Sequence, residues 1–280
     1  MAFRLIVLLV ATATYYAGAS SVAAATYYVS NSGNDSRVGT SPETAWATLA
    51  RAAIAAGEAK GTTLLLERNS TWLNDPLVLS SWMGGALVIG AYGDKTLPRP
   101  LLQHARGLSD SSTACLEIAT SFAATTVSGL HFSGCEGGLV LVGNASAATP
   151  TSNVLIADNI FQDVRTPFLR YTPPNPDWAN AIALRGGHLR NVTIRNNVGA
   201  RIDAFFSSTA RVDTLTLDAN TVQQCSGNCY GLGQGTNLTM SNSVLLRDTS
   251  TRLFLYGTTD VIIGSVCTLH HSPRPQKPEQ

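Results

Sequence analysis

Apolar and polar residues alternate in a six-residue phrase that recurs along the second half of the chain. Its first and third positions are apolar and its second is usually Thr, which is the pattern of a β-strand with one buried face. Four copies begin at Val192, Leu215, Leu238 and Val261, with 23 residues between successive starts. A fixed period of this length predicts stacked repeats, each too small to bury its apolar side alone.

A second apolar stretch precedes each copy, at residues 181–185, 204–207, 230–233 and 253–256. Each repeat therefore holds two or three short strands joined by tight turns. The leucine-rich repeat shares the period, but its Leu-x-x-Leu-x-Leu-x-x-Asn spacing is absent and no repeat has a helical pattern. We therefore predict an all-β chain folded as a parallel β-helix.

The last position of the phrase predicts how the coils stack. It holds Asn197 and Asn220 in two copies, and Asn159 in an earlier copy that begins at Val154. Asn tolerates a left-handed turn conformation, and its amide can hydrogen-bond to the stacked neighbour one coil away. We expect these three residues to lie in one column.

The length allows one elongated domain or two compact ones, of which the repeat favours one, and the low charge indicates no charged ligand surface. The chain has 280 residues, of which 13% are charged, and its net charge is +1. This balance gives no field that points to nucleic acid or to an anionic membrane. The three lysines, Lys60, Lys95 and Lys277, lie outside the repeats, which disfavours chemistry that needs a lysine base.

The two ends of the chain differ from the repeats. Residues 1–25 combine Arg4, an apolar stretch at 5–13 and small residues before Thr26, as a signal peptide does. The stretch is too short to span a bilayer, so we expect a secreted, extracellular protein with no membrane span in the mature chain. The β-helix domain then covers 26–269, and the polar, Pro-rich residues 270–280 form a tail that we expect to be disordered.

Secretion is also consistent with the glycosylation sequons and the cysteines. Five Asn-x-Ser/Thr sequons begin at Asn34, Asn69, Asn144, Asn191 and Asn237. In an oxidising compartment the short spacing of Cys225 and Cys229 allows a small disulfide loop. Cys115 and Cys135, about one coil apart, are also placed to pair. Cys267 is then left over, either buried or in an intermolecular bond.

Residues 26–61 are predicted to form an N-terminal strand and a helical cap. Ser41 and Pro42 have the chemistry of a helix start, and 44–59 carries Trp46, Leu49, Ala53 and Ile54 on one helical face. A helix laid across the first coil covers the open apolar end of a solenoid. The last coil has no such cap before the tail. Two explanations stay open: an oligomer contact covers this coil, or the chain is truncated.

A family resemblance begins in this N-terminal segment. It is carried by Tyr-Tyr-Val-Ser-Asn-Ser-Gly-Asn-Asp-Ser at 27–36, by Gly-Thr-Ser-Pro-Glu-Thr-Ala-Trp-Ala-Thr-Leu at 39–49, by Arg-Asn-Ser-Thr-Trp at 68–72 and by Ile-Gly-Ala-Tyr-Gly at 89–93. These segments resemble secreted right-handed parallel β-helix proteins of the pectate-lyase-like superfamily. The resemblance spans roughly 26–267 and implies a single-stranded right-handed coil. It does not imply one activity, because the superfamily includes lyases, hydrolases, epimerases and noncatalytic proteins.

The signatures of several superfamily enzymes are missing. The Asn-Thr-Asp, Asp-Asp, Gly-His-Gly and Arg-Ile-Lys motifs of polygalacturonate hydrolases are absent, although Gly187-His188-Leu189 and Arg201-Ile202-Asp203 are partial matches. The Asp-Pro-His-Asp motif of alginate epimerases is also absent. A calcium-assisted lyase with an arginine base stays open, but no tight Asp/Glu cluster indicates Ca²⁺, so we expect no cofactor.

Charged residues of alternating sign are predicted to line one corner of the coils. Asp163 and Arg201 share one offset from the phrase start (163−154 and 201−192), and Arg165 and Asp203 share another (165−154 and 203−192). With Arg185 they form the candidate catalytic set. Arginine grips carboxylates bidentately, and two carboxyls at a defined separation are what glycoside hydrolysis needs. The alternative is a self-neutralising ladder of surface charges.

An insertion lies beside this corner. The copies at Val154 and Val192 start 38 residues apart, which is 15 more than one period (38−23), and the surplus falls in 166–180. Loops on a rigid scaffold often carry binding residues. We therefore assign substrate binding to Arg170, Tyr171, Asp177 and Trp178, whose ring and charges suit a sugar chain.

Two functions follow from these features. One is a protein that engages an extracellular polysaccharide or cell-wall glycan, as a lyase or glycoside hydrolase if it is an enzyme. The other is a noncatalytic adhesin or wall component that uses the same fold as a binding surface.

Overall fold

The computed structural model describes residues 24–58, 61–80, 85–105, 114–119, 124–143, 151–165, 179–227, 229–246, 253–255 and 257–269. The predicted tail, and all but the last residues of the predicted signal peptide, lie outside these ranges. Within them the chain is mostly β-strand, with one helix, α1 (Leu49–Glu58), and a single 3-10 turn at Pro42–Thr44. The all-β prediction is confirmed.

The strands are short in the first half of the chain and include two long ones in the second half. The first half holds β1 (Ala25–Val29), β2 (Thr62–Glu67), β3 (Thr71–Leu73), β4 (Leu77–Leu79), β5 (Ala86–Tyr92), β6 (Leu101–Gln103), β7 (Ala114–Ala119), β8 (Ala124–Ser128), β9 (His131–Ser133) and β10 (Gly137–Val142). The second half holds β11 (Thr151–Ala157), β12 (Ile160–Gln162), β13 (Asn180–Arg185), β14 (His188–Arg195), β15 (Val198–Ile202), β16 (Ala204–Asp218), β17 (Thr221–Cys225), β18 (Tyr230–Ser241), β19 (Ser243–Leu246), β20 (Leu253–Leu255), β21 (Thr258–Ile263) and β22 (Val266–Leu269).

All pairing between these strands is parallel and joins each strand to its counterpart one coil away. The 14-stranded sheet has a first arm, β1-β2-β5-β8-β11-β14, and a second arm, β4-β7-β10-β13. The long strands β16 and β18 belong to both arms, and an 8-stranded sheet runs from β3 to β22. The chain visits the first arm, the 8-stranded sheet and the second arm in turn, so β2, β3 and β4 make one coil and β5, β6 and β7 the next.

In the first arm, residues at the same position of successive phrases pair with each other. Val154 pairs with Val192, Val192 with Leu215, Leu215 with Leu238, and Leu238 with Val261. The predicted stacking of the phrase is therefore confirmed, including the coil that carries the insertion. Because the copies align, the apolar first and third positions of every phrase point to the same side, where most are buried.

Aromatic rings fill the middle of the stack. Phe132 and Phe161 lie parallel with ring centroids 5.0 Å apart, and Phe205 meets Phe161 edge-on at 6.3 Å. Gly199 pairs with Phe161 of the preceding coil, and a Cβ on Gly199 would lie 2.7 Å from the Phe205 ring. The glycine thus leaves the space into which Phe205 packs, which keeps the core dense through this coil.

The predicted asparagine column is present and fully buried. The backbone N–H of Asn159 donates to Oδ1 of Asn197 at 3.0 Å, and that of Asn197 donates to Oδ1 of Asn220 at 3.1 Å. Each side-chain amide also donates to a carbonyl one coil earlier, for instance from Asn197 to Ile156 at 2.9 Å. The column therefore satisfies backbone N–H groups of the turn and carbonyls near the ends of the strands that precede it.

Residues with a left-handed backbone conformation (positive φ) recur every five positions along each coil (158−153 and 163−158). They mark the bends within and between strands, and most are Asn or Asp, which adopt positive φ more readily than most other non-glycine residues. The exceptions, Thr214, Ala219, Arg201 and Gln224, have no such preference. The three columns are Asn153, Asn191, Thr214, Asn237 and Asp260; Asp158, Asn196, Ala219 and Asn242; and Asp163, Arg201 and Gln224.

The N-terminal segment contains a helix, which begins later than the sequence pattern predicts. Trp46 pairs as a bridge with Val29 and its ring stacks on Tyr27, so it belongs to the strand layer. The helix starts at Leu49, whose N–H donates to Asp75, and Ser41 and Pro42 open the 3-10 turn. Ile54, predicted to be on the buried face, is 59% exposed. The packed face instead consists of Leu49, Ala52, Ala55 and Ala56.

The cysteines pair as the spacing allows. Cys115 bonds to Cys135 and Cys225 to Cys229, with Cα atoms 5.8 Å apart in each pair. Cys267 is a free, exposed thiol. At the same end of the stack, Ile262 and Ile263 are also exposed; the predicted oligomer contact there stays a prediction. Among the described residues, no helix has the length and apolar character to cross a membrane.

Replacing Asn197 by Ala tests the asparagine column. The change leaves the Asn159 N–H and the Ile156 carbonyl buried without their partner, so we expect a loss of about 3 kcal/mol in the free energy of unfolding. Urea denaturation measures it. The control is Asn196→Gly, at an exposed neighbour with positive φ, which we expect to change stability by less than about 0.5 kcal/mol. Equal effects of the two changes would contradict the proposed role of the column.

Replacing Thr214 by Asn tests the left-handed columns. Thr214 is β-branched and exposed at φ 65°, between Asn191 and Asn237 of the same column. Relief of this backbone strain should raise stability by about 1 kcal/mol. Production in a bacterial host keeps the new Asn-Leu-Thr sequon unmodified. Thr216→Asn, two residues away in extended backbone, is the control, and a rise in melting temperature there as well would rule out the explanation.

Candidate functional site

The predicted corner exists at the turn from the 8-stranded sheet to the second arm. Asp163 follows β12 directly and Arg201 lies near the end of β15; both occupy the same left-handed position, and the N–H of Asp163 donates to the Ala200 carbonyl at 3.0 Å. The N–H of Asp203 donates to the Val164 carbonyl at 3.0 Å, so Asp203 lies one coil after Arg165 at the matching position of the turn. The repeat offsets therefore place these four charged residues on two successive coils. We call Asp163, Arg165, Arg201 and Asp203, with Ser226 of the next coil, the corner site.

Asp163 and Arg201 form a bidentate ion pair across the two coils. Nε of Arg201 lies 2.8 Å from one carboxylate oxygen of Asp163, and Nη2 lies 2.9 Å from the other. The hydrogen bonds to Asp163, followed by its charge, raise the pKa of the Arg201 guanidinium. This geometry favours the ionised carboxylate and holds the arginine in one orientation.

The other two charges of the corner site make different contacts. Asp203 accepts a hydrogen bond from the Ser226 hydroxyl at 2.6 Å. Arg165 is exposed, and its Nε donates to the Arg201 carbonyl at 2.9 Å. The corner site thus balances two carboxylates against two guanidinium groups, and its net charge is zero when all four are ionised.

Arg185, the fifth predicted catalytic residue, does not join this corner. Arg185 ends β13, whose first residue Asn180 pairs with Ala204 beside Asp203. At about 3.3 Å per residue, Arg185 lies on the order of 16 Å along the strand from the corner. The structure therefore separates Arg185 from the other four catalytic candidates. The predicted substrate-binding residues Arg170, Tyr171, Asp177 and Trp178 lie outside the described residues.

A second charged cluster lies where the chain enters the first arm, just after Arg185 and the Gly186-Gly187 turn. His188 pairs with Arg211 across β14 and β16, and Arg190 pairs with Asp213, which pairs in turn with Thr236 of β18. Buried Leu189 and Val212 alternate with these residues, so the cluster is on the outer face of the arm. We call His188, Arg190, Arg211, Asp213 and Thr236 the face cluster.

Asp213 is the centre of the face cluster. One carboxylate oxygen lies 2.7 Å from Nε2 of His188 and 3.8 Å from Nε of Arg190. The other accepts from Nε of Arg211 at 3.3 Å and from the Thr236 hydroxyl at 3.1 Å. Burial raises the pKa of Asp213, but the hydrogen bonds from His188, Thr236 and Arg211 outweigh it and hold the pKa below its ordinary value.

The sequence carries a signal for the face cluster just before the six-residue phrase. His188 and Arg211 each precede the phrase start by four residues (192−188 and 215−211). Arg190 and Asp213 each precede it by two (192−190 and 215−213). Extending the repeat towards its N-terminal side would have placed these residues in two adjacent columns.

Neither charged site has the makeup of a metal centre. In the described part of the chain, no three His, Cys, Asp or Glu side chains come together in a way that could hold a metal ion. The carboxylates of both sites instead face arginine, serine, threonine or histidine. Their shared chemistry is hydrogen bonding to polar groups and pairing of charges.

Comparison with known proteins gives a likeness of fold and no family. No family model matches the sequence, and no curated protein matches it. Two crystal structures of a GH136 lacto-N-biosidase from Eubacterium ramulus, a selenomethionine derivative and the native protein, match with TM-scores of 0.59 and 0.57 at 13% identity. A rhamnogalacturonan lyase has a TM-score of 0.44 at 13% identity, from which we draw nothing.

The match covers most of this chain but only part of its structural neighbours. It includes 88% and 87% of this chain and 56% of the lacto-N-biosidase chain in each case. At this identity the likeness shows the fold alone. It agrees with the parallel, stacked sheets described above.

The lowered pKa of Asp213 predicts how its contribution to stability depends on pH. Because the folded-state pKa is depressed, the contribution is present above the unfolded value of about 4 and is lost as the pH falls through the folded value. Asp213→Asn should therefore cost about 1 kcal/mol at pH 7, a modest loss because its arginine partners are half exposed. Below pH about 4 this difference should shrink.

Urea denaturation of both proteins from pH 7 to pH 3 measures this difference. Asp158→Asn is the matched control, because Asp158 is exposed and makes no salt bridge within the described residues. If Asp213→Asn lowers the free energy of unfolding equally at every pH, the charge of Asp213 does not explain its contribution to stability.

Proposed function

We propose that this chain is a secreted right-handed parallel β-helix protein that binds an extracellular polysaccharide along the corner site. The observation that carries the proposal is the stacking of Asp163, Arg201, Arg165 and Asp203 on two successive coils. A right-handed coil is the sense that parallel crossover connections favour. Secretion is proposed from the composition of residues 1–25.

The chemistry of the corner site suits the hydroxyl groups of a sugar chain. Carboxylates accept hydrogen bonds and guanidinium groups donate them, so alternating charges offer both kinds of partner to each hydroxyl. Successive coils present such donors and acceptors at intervals of about 4.8 Å. Since the four charges cancel, we propose a neutral sugar at this corner. An extended ligand would then lie along the direction in which the coils stack.

Hydrolysis of the bound glycan is the second candidate function. Two of the similar structures are of one lacto-N-biosidase, a carbohydrate-active enzyme, and the corner site has a carboxylate on each of two adjacent coils. In this role Asp163, paired with Arg201, would be the ionised carboxylate. Asp203 would be the second of the two carboxyl groups that a glycoside hydrolase needs.

A glycan-binding assay with Asp203→Asn tests the proposed function. Affinity electrophoresis on a panel of neutral, uronate-containing and sulfated polysaccharides should show retention by a neutral polysaccharide. Asp203→Asn removes a charged hydrogen-bond acceptor, so we expect the dissociation constant to rise about tenfold. Asp158→Asn, the same chemical change at a different corner, should leave it unchanged.

The panel also separates binding from hydrolysis. Release of new reducing ends by the wild-type chain, lost in Asp203→Asn while binding persists in weakened form, would identify a hydrolase. Retention without release would identify a noncatalytic binding protein. If no neutral polysaccharide is retained, or if Asp203→Asn binds as the wild type does, the proposed function is wrong.

A further inference from the structure

We propose that the face cluster is a separate binding site for the anionic group of an acidic glycan, a carboxylate or a sulfate, held by Arg190 and Arg211. The inference takes its ligand class, an extracellular glycan, from the proposed function. Its location is independent, because the face cluster is in the first arm and the corner site lies at the end of the 8-stranded sheet.

The arginines of the face cluster retain most of their donors for a ligand. Arg211 uses Nε for its 3.3 Å hydrogen bond to Asp213, and Arg190 approaches the same carboxylate only within 3.8 Å. Within the described residues, the terminal amino groups of neither side chain make a hydrogen bond. The Arg190 and Arg211 side chains are 54% and 56% exposed. Both guanidinium groups therefore present solvent-facing donors.

The two arginines are close enough to act on one group. They belong to adjacent strands and are offset by two residues in register, since Arg190 pairs with Asp213 and His188 with Arg211. Such diagonal neighbours are about 7–8 Å apart at the backbone, which long side chains easily bridge. Their shared contact with Asp213 shows that both reach one oxyanion on the protein side. A second oxyanion on the solvent side is within the same reach.

The charges of the cluster do not balance. Two arginines face one carboxylate, which leaves a surplus of one positive charge with His188 neutral and of two with it protonated. This distinguishes the face cluster from the corner site, where carboxylates and arginines are equal in number. A surplus of guanidinium groups with a planar fork of donors selects carboxylates and sulfates, which accept two parallel hydrogen bonds.

The surroundings of the cluster favour a sugar as the carrier of the anion. The outer face of the first arm continues from the cluster into a ladder of Thr193, Thr216 and Thr239, which pair across β14, β16 and β18. These hydroxyls are partly exposed and offer neutral hydrogen-bonding partners on a flat surface. The chain as a whole has a net charge of only +1, so the positive charge of the face cluster does not come from a general excess of basic residues.

Isothermal titration calorimetry with two acidic probes tests the inference. Oligogalacturonate supplies carboxylates and a sulfated galactan oligosaccharide supplies sulfates, so the two arms identify the anion. We expect wild-type protein to bind at least one of them. The double change Arg190→Gln and Arg211→Gln should weaken that binding at least tenfold, and should lower stability by no more than the modest loss expected for Asp213→Asn, because both side chains are half exposed.

Two further variants separate a bidentate site from general attraction. Arg190→Lys with Arg211→Lys keeps the charge but loses the planar fork, so most of the affinity should still be lost. Arg195→Gln removes one positive charge from the same face, at the opposite end of β14, and should alter binding by less than about twofold. If the lysine variant binds as the wild type does, or if Arg195→Gln is as damaging as the double change, the site is wrong.

The same titrations keep this inference distinct from the proposed function. Acidic probes that bind through Arg190 and Arg211 would support the face cluster even if no neutral polysaccharide binds at the corner site. Conversely, a protein that binds a neutral glycan through Asp203 but neither acidic probe would retain the proposed function and lose this inference. Binding of both probes that survives the double change would also overturn it.

Discussion

The register between successive coils is the constraint on which the rest of this structure depends. All the strand pairing is parallel, and a slip of one residue would turn each apolar side chain from the core to solvent. The buried column of Asn159, Asn197 and Asn220 opposes such a slip. Each amide binds backbone groups of the neighbouring coil at 2.8–3.1 Å, and these partners are lost together if one coil moves.

This register is also why much of the fold could be predicted from the sequence. Alternation with a period of two identifies a strand, and a fixed distance between phrases identifies its partner, so pairing such as Val192 with Leu215 follows from counting. The helix start was wrong because Trp46 is apolar and well spaced for a helix, yet packs on Tyr27. The left-handed backbone of Thr214 and Arg201 was not predictable, because neither residue prefers it and the coil imposes it.

The same reasoning explains which parts of the sites were predicted. Asp163 and Arg201 share an offset from the phrase, and stacking turns a shared offset into contact. Arg185 was grouped with them because it also faces outward. Its position in the repeat differs from theirs, however, and each residue of difference along a strand adds about 3.3 Å of separation. The face cluster was missed for a related reason: its columns begin before the phrase, where the alternation of the repeat is less regular.

The two charged sites show how one scaffold produces different surface chemistry by the choice of residue in a column. Where a carboxylate stacks on an arginine, as Asp163 does on Arg201, both groups of the guanidinium fork are occupied and the charges cancel. Where two arginines share Asp213, the carboxylate cannot satisfy both forks and donors remain exposed. A ligand at the first kind of site must compete with, or hydrogen-bond around, an existing ion pair, which favours neutral hydroxyls. A ligand at the second kind supplies the missing negative charge, so a single substitution within a column is enough to change the class of group that the coil surface binds.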